Sequence, residues 1–111
     1  MGQPANNSPK VITLEGAMRT GTAVDSFRLI VDESLRSGQP HIVVDMSKVT
    51  SLDSSGIGVL VRSLAQLKQK GGSLKLVAVP HVASQTLKIT GVLRLFEVFP
   101  KLDDALKSIV T

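Results

Sequence analysis

Cysteine, tryptophan and tyrosine are all missing from this chain, and its aromatic side chains are three phenylalanines, Phe27, Phe96 and Phe99. Without cysteine there is no disulfide, no thiolate ligand and no redox chemistry carried by the protein, which suits the cytosol. The basic residues are scattered from Lys10 to Lys107 rather than gathered, and the phenylalanines read as core, so neither the patch nor the stacking platform that nucleic acid needs is in view. No apolar run approaches the roughly 18 residues that span a bilayer, and the polar N-terminus lacks a signal-peptide core. A cytoplasmic protein without membrane insertion is expected. Its net charge of +4 suits an acidic protein partner.

What is present suits one domain. A chain of 111 residues with 42% hydrophobic content is large enough to bury about 65% of its unfolded surface. Residues 1–10 read as a disordered tail, because Met1 to Pro9 is mostly Gly, Pro, Asn and Ser; residues 11–111 read as the folded part.

Strand and helix patterns then alternate. Val11 to Glu15 alternates apolar and polar residues and reads as a strand. Thr22 with Asp25 reads as a helix cap, followed by Val24, Phe27, Ile30, Val31 and Leu35 on one face and Gly38 as the stop. Leu74 to Val79 reads as a strand, and Pro80 opens a helix that Gly91 ends. Leu95 to Phe99 reads as the last strand, before a closing helix lined by Leu102, Ala105, Leu106 and Ile109. This order predicts an α/β domain: a mixed, mostly parallel sheet of about four strands with right-handed β-α crossovers and about four helices.

The chain is organised around His41 to Lys70. Ile42, Val43 and Val44 form a β-branched run suited to a strand buried on both faces, which Asp45 is expected to end. After a short crossing, Ile57, Leu60, Val61, Leu64 and Leu67 recur at helical spacing. Asp53-Ser54-Ser55 stands where that helix begins, and both residue types satisfy the partnerless first amides of a helix. Capping does not explain Gly56 and Gly58 in the first turn, each costing roughly 1 kcal/mol against Ala. Either they let the helix press against its own sheet, or they leave its serine-bearing end uncluttered for another protein.

Enzymatic readings fare poorly. Ser54 could pair with His41 or His81 in a hydrolase, but Ser-Ser-Gly-Ile-Gly is not the Gly-x-Ser-x-Gly of a nucleophile elbow. The pair Gly56-x-Gly58 lacks the third glycine of a dinucleotide fingerprint, and no Gly-Lys-Ser/Thr phosphate loop is present. Asp45, Asp53 and two separated histidines give no metal-ligand spacing. No cofactor or metal is expected.

The run Val43-Val44-Asp45-Met46-Ser47-Lys48-Val49, followed by Leu52-Asp53-Ser54-Ser55-Gly56-Ile57-Gly58, closely resembles the central motif of STAS domains, the sulfate transporter and anti-sigma factor antagonist family. Leu87-Lys88-Ile89-Thr90-Gly91-Val92 and Phe96-Glu97-Val98-Phe99-Pro100 follow in the same order as in that family, so the resemblance runs from about Val11 to Val110. Two stretches depart from it. Relatives often open with a two-stranded hairpin, whereas Val11 to Glu15 is followed here by Gly16-Ala17-Met18-Arg19; and Ser84-Gln85 stands where relatives tend to carry an arginine.

The resemblance implies an anti-sigma factor antagonist with Ser54 as phosphate acceptor. Its partner would be an anti-sigma factor serine kinase that binds the ATP, is sequestered by the unphosphorylated form and is released by the phosphorylated one. The alternative is a structural STAS subunit of a signalling or membrane-transport assembly, in which Ser54 is only a cap. The docking surface is expected at Asp53, Ser54, Ser55, Gly56 and Gly58 and on the solvent side of the helix at Val59, Arg62, Ser63 and Gln66, opposite Leu60 and Leu64.

Overall fold

The computed structural model describes residues 9–18 and 21–109. Of the expected tail, residues 1–8 lie outside them, as does Arg19, while Lys10 already opens the first strand. Four strands and four helices alternate: β1 (Lys10–Met18), α1 (Thr22–Arg36), β2 (His41–Leu52), α2 (Ser54–Gln69), β3 (Ser73–Val77), α3 (His81–Ile89), β4 (Glu97–Phe99) and α4 (Leu102–Ile109). The sheet order is β1-β2-β3-β4, and all three pairings are parallel.

Three crossovers stepping one way across a sheet put their helices on one face when all have the same hand. Helices α1, α2 and α3 do share a face, packing Phe27, Val31, Leu60, Leu67 and Leu87 onto Ile42, Val44, Leu74 and Leu76. The opposite face carries Val43, Val77 and Phe99 against Ala105, Leu102, Leu106 and Ile109 of α4, as the apolar spacing of that closing helix predicts. Lys75 also points to this side, where it is buried, ion-paired with Glu97, and 5.7 Å from the centre of the Phe99 ring.

Several element ends differ from expectation. Thr22 is the first helical residue of α1 rather than its cap; Gly21 takes that place without a side-chain bond, and Asp25 instead faces Arg28 at 3.8 Å. Strand β4 begins only at Glu97, because Leu93–Leu95 turns into a short 3-10 segment that buries Phe96.

The larger correction concerns the first two strands. Asp45 does not end β2: the strand runs on to Leu52, and the supposed crossing is strand paired with β1. Strand β1 correspondingly continues past Glu15 to Met18. Two register shifts, between Thr13 and Glu15 and between Gly16 and Ala17, each oppose an extra residue of β2 to β1. At the first of them the Asp45 carboxylate accepts the Ser47 N–H at 2.9 Å, a side-chain turn of the kind aspartate favours. The buried residues of β2 that face the helices are therefore Ile42, Val44, Met46, Val49 and Leu52, with spacing that lengthens from two to three.

Beyond the Asp45–Val77 pairing β3 has ended, so the rest of β2 and β1 form a two-stranded extension. Its last β1 residue, Met18, is fully buried. Met18→Ala should accordingly cost about 2–5 kcal/mol, as for a core methionine. Urea denaturation is the measurement; a loss below about 0.5 kcal/mol is what an exposed turn residue would give.

Candidate functional site

The end of this extension sets the start of α2. The Asp53 N–H donates to the Met18 carbonyl at 3.2 Å, holding the residue in extended conformation. The Asp53 carboxylate in turn accepts the Gly56 N–H at 3.0 Å, and its carbonyl accepts the Ile57 N–H at 2.9 Å. Asp53 is thus the N-cap, and Ser54 is the first helical residue with its side chain exposed. The preceding Asp does the capping, and Ser54 is not needed for it.

The two glycines answer different demands. A Cβ on Gly56 would lie 2.5 Å from the Met18 carbonyl oxygen and 2.8 Å from Leu52 Cδ1, so the bare backbone there is what lets α2 press onto the strand ends. Around Gly58 nothing lies within 4 Å of the corresponding position. Gly56 serves the sheet, and Gly58 leaves the surface open.

That open surface is a groove of about 330 Å³ between α1 and α2, lined by Gly21, Val24, Asp25, Arg28, Ser54, Ser55, Gly58, Val59 and Arg62. Of the residues expected on it, Ser54, Gly58, Arg62 and Gln66 are exposed, while Asp53 and Ser55 are half-buried. The expected solvent side of α2 needs correction at Val59 and Ser63, which are only 5% and 2% exposed. The reason is that α2 packs against two neighbours, the sheet beneath and α1 beside it, so its buried arc is wider than the stripe from Ile57 to Leu67. Val59 still reaches the groove as part of its floor, whereas Gly56 is buried under it. Sequence reading missed Arg28, Asp25 and Gly21, because they belong to α1 and its N-cap and only the packing of the helices brings them into one groove with Ser54.

Neither histidine joins them. The His41 ring is bonded to the Ser73 hydroxyl at 2.9 Å at the far end of β2, and the His81 ring meets the Gln85 side chain at 3.1 Å on its own helix. With eleven residue steps of strand between His41 and Leu52, roughly 30 Å separates the first from Ser54. The site offers an exposed hydroxyl at a helix start, in a groove that Arg28 and Arg62 also line. It offers that hydroxyl no histidine base.

The STAS domain family model matches residues 3–105. Among curated proteins, the anti-sigma F factor antagonist of Paenibacillus polymyxa is 28% identical over 100 residues, covering 89% of this chain and 82% of that one. Among solved structures, an anti-sigma factor antagonist from Mycobacterium paratuberculosis is 26% identical with a TM-score of 0.75, over 89% of this chain and 85% of that one. A sulfate transporter family protein from Wolinella succinogenes shares the fold at a TM-score of 0.80 and 18% identity, over 96% of this chain and 88% of the other.

The glycine contrast is measurable. Gly56→Ala should destabilise the domain by about 1–3 kcal/mol, since the clash is with backbone. Gly58→Ala should stabilise it by up to about 1 kcal/mol, by removing glycine's entropy from an uncrowded helix position. Chemical denaturation of both variants checks this; equal effects of the same sign would contradict the division between them.

Proposed function

The chain belongs to the STAS domain family, and from that premise we propose that it is an anti-sigma factor antagonist that binds its anti-sigma factor, a serine kinase, until Ser54 is phosphorylated. The observation that carries this reading is the placement of Ser54: exposed, first in its helix, and relieved of capping by Asp53. A hydroxyl so held is presented to a kinase without unfolding anything. The partner supplies ATP and catalysis, and this chain supplies a surface. The antagonists from Paenibacillus and Mycobacterium, which carry that function in their names, support the partner class. A cytoplasmic setting, where sigma factors act, goes with the reading; among the described residues no helix is long and apolar enough to cross a membrane.

The docking surface in this reading is the groove and its rim, with Ser54, Ser55, Gly58 and Arg62 from α2 joined by Arg28 from α1. Gln66 continues it along the exposed face. Arg62→Glu probes the surface without touching the core. Val59→Asp is a poor probe, because it would bury a carboxylate.

A phosphate on Ser54 adds nearly two negative charges to this contact. Desolvating an unmatched charge at an interface costs about 2–5 kcal/mol, which is roughly 30-fold to several thousand-fold in Kd. Calorimetric titration of the kinase with wild-type, Ser54-phosphorylated and Ser54→Ala protein should show that loss for the phosphorylated form only. Thermal melts of all three should coincide within a few degrees. Equal affinity of the wild-type and phosphorylated forms would overturn the switch and favour a structural STAS subunit, in which Ser54 merely begins a helix.

A further inference from the structure

The groove contains more positive charge than presenting a hydroxyl requires. Ser54, Gly58 and Arg62 succeed one another along the i, i+4 ridge of α2, and all three line the groove. Arg28 stands on the opposite bank; among the described residues its ion pair is a 3.8 Å contact with Asp25 in which both side chains are at least half exposed. Arg62 has no ion pair among the described residues.

We propose that Arg62 and Arg28 form a clamp that captures the phosphate of phosphorylated Ser54 within the same chain, and that Gly58 is bare to leave the path open. This rests on Ser54 being the phosphate acceptor. Long helical side chains lean toward the N-terminus, so Arg62 extends back over Gly58 toward Ser54. The eight residue steps from Ser54 to Arg62 rise about 12 Å. An extended arginine, one hydrogen bond and a phosphoserine turned back along the helix together reach roughly 14 Å, built from bonds of about 1.5 Å. Nothing lies within 4 Å of the Gly58 Cβ position, whereas a larger side chain there would occupy the line between the two groups. A guanidinium presents paired N–H donors that match phosphate oxygens, and a phosphate competes well for an arginine whose existing contact is long and solvated.

The clamp gives phosphorylation a second effect. It withdraws the two cations of the rim by pairing them with the phosphate, so the surface loses what it offers an acidic partner. Affinity lost on phosphorylation then exceeds what Ser54→Asp alone reproduces, because a carboxylate on a short stem falls short of Arg62.

The test needs neither kinase nor partner. Phosphoserine is installed at position 54 during translation, so that absence of a natural kinase cannot imitate absence of the clamp. Phosphorus NMR then follows the second ionisation of the phosphate, which lies near 6 for a solvated phosphoserine. The charged groups facing it are Arg28 and Asp25 of α1, Arg62 of α2 and Asp53, the α2 N-cap. In the wild-type background the ionisation should fall by at least about half a unit relative to the Arg62→Gln, Arg28→Gln double variant, since nearby cations favour the dianion. Each single variant should lose part of the shift. Gly58→Leu should lose most of the Arg62 share with both arginines still present, a result that a general change in surface charge would not produce. Identical ionisation in the wild-type and double-variant backgrounds would overturn the clamp, and an undiminished shift in Gly58→Leu would overturn the role given to Gly58.

Discussion

The carbonyl of Met18 is where the working end of the molecule is tied together. It accepts the Asp53 N–H at 3.2 Å, and it lies so close to Gly56 that no side chain fits between. One backbone group thereby sets where β2 stops, where α2 starts and how near the helix comes to the sheet. The exposure of Ser54 follows from that placement. With the turn closed by backbone and by the Asp53 carboxylate, the next residue has no structural duty left and points outward.

How far the sequence revealed this differs from element to element. The helices were legible because their apolar spacing and their glycine stops are local: Gly38, Gly71 and Gly91 all take positive φ just past a helix end. The long β2 was not legible beyond Asp45. Its two bulges stretch the inward spacing from Val44 and Met46 to Val49 and Leu52, and a pattern that abandons period two no longer reads as strand. The alternation of Ile12 and Leu14 with exposed neighbours, taken up again at Met18 after Gly16 and Ala17, was the available clue. It implied that a partner strand of matching length had to exist.

The site divides in the same way. Asp53, Ser54 and the exposure of Arg62 depend on one helix and its start, so the sequence sufficed. Val59 and Ser63 were misplaced because a single helix has one apolar stripe to read, while α2 in the fold meets both the sheet and α1. Arg28 is invisible to any reading of α2, since its nearness to Ser54 comes from the packing of Val24 and Phe27 beside Val59 and Leu60. Fold class follows from alternation and composition, which average over many residues. A groove between two helices depends on which few side chains meet, and periodicity does not contain that information.

The separation of Asp53 from Ser54 bears on why a charge can be added here without cost to the fold. Had the serine been the cap, esterifying its oxygen would have exchanged a bond worth about 1 kcal/mol for a bulky anion in the turn itself. With Asp53 accepting the Gly56 N–H, the oxygen of Ser54 carries no part of the helix start. A group added to that oxygen would leave the turn, the contact of Gly56 with Met18 and the buried extension beneath them as they are. A phosphate at the first position of a helix also lies at the positive end of its dipole, a modestly stabilising location. The free energy of a charge placed on Ser54 would therefore fall on whatever approaches α2 from outside, and not on folding.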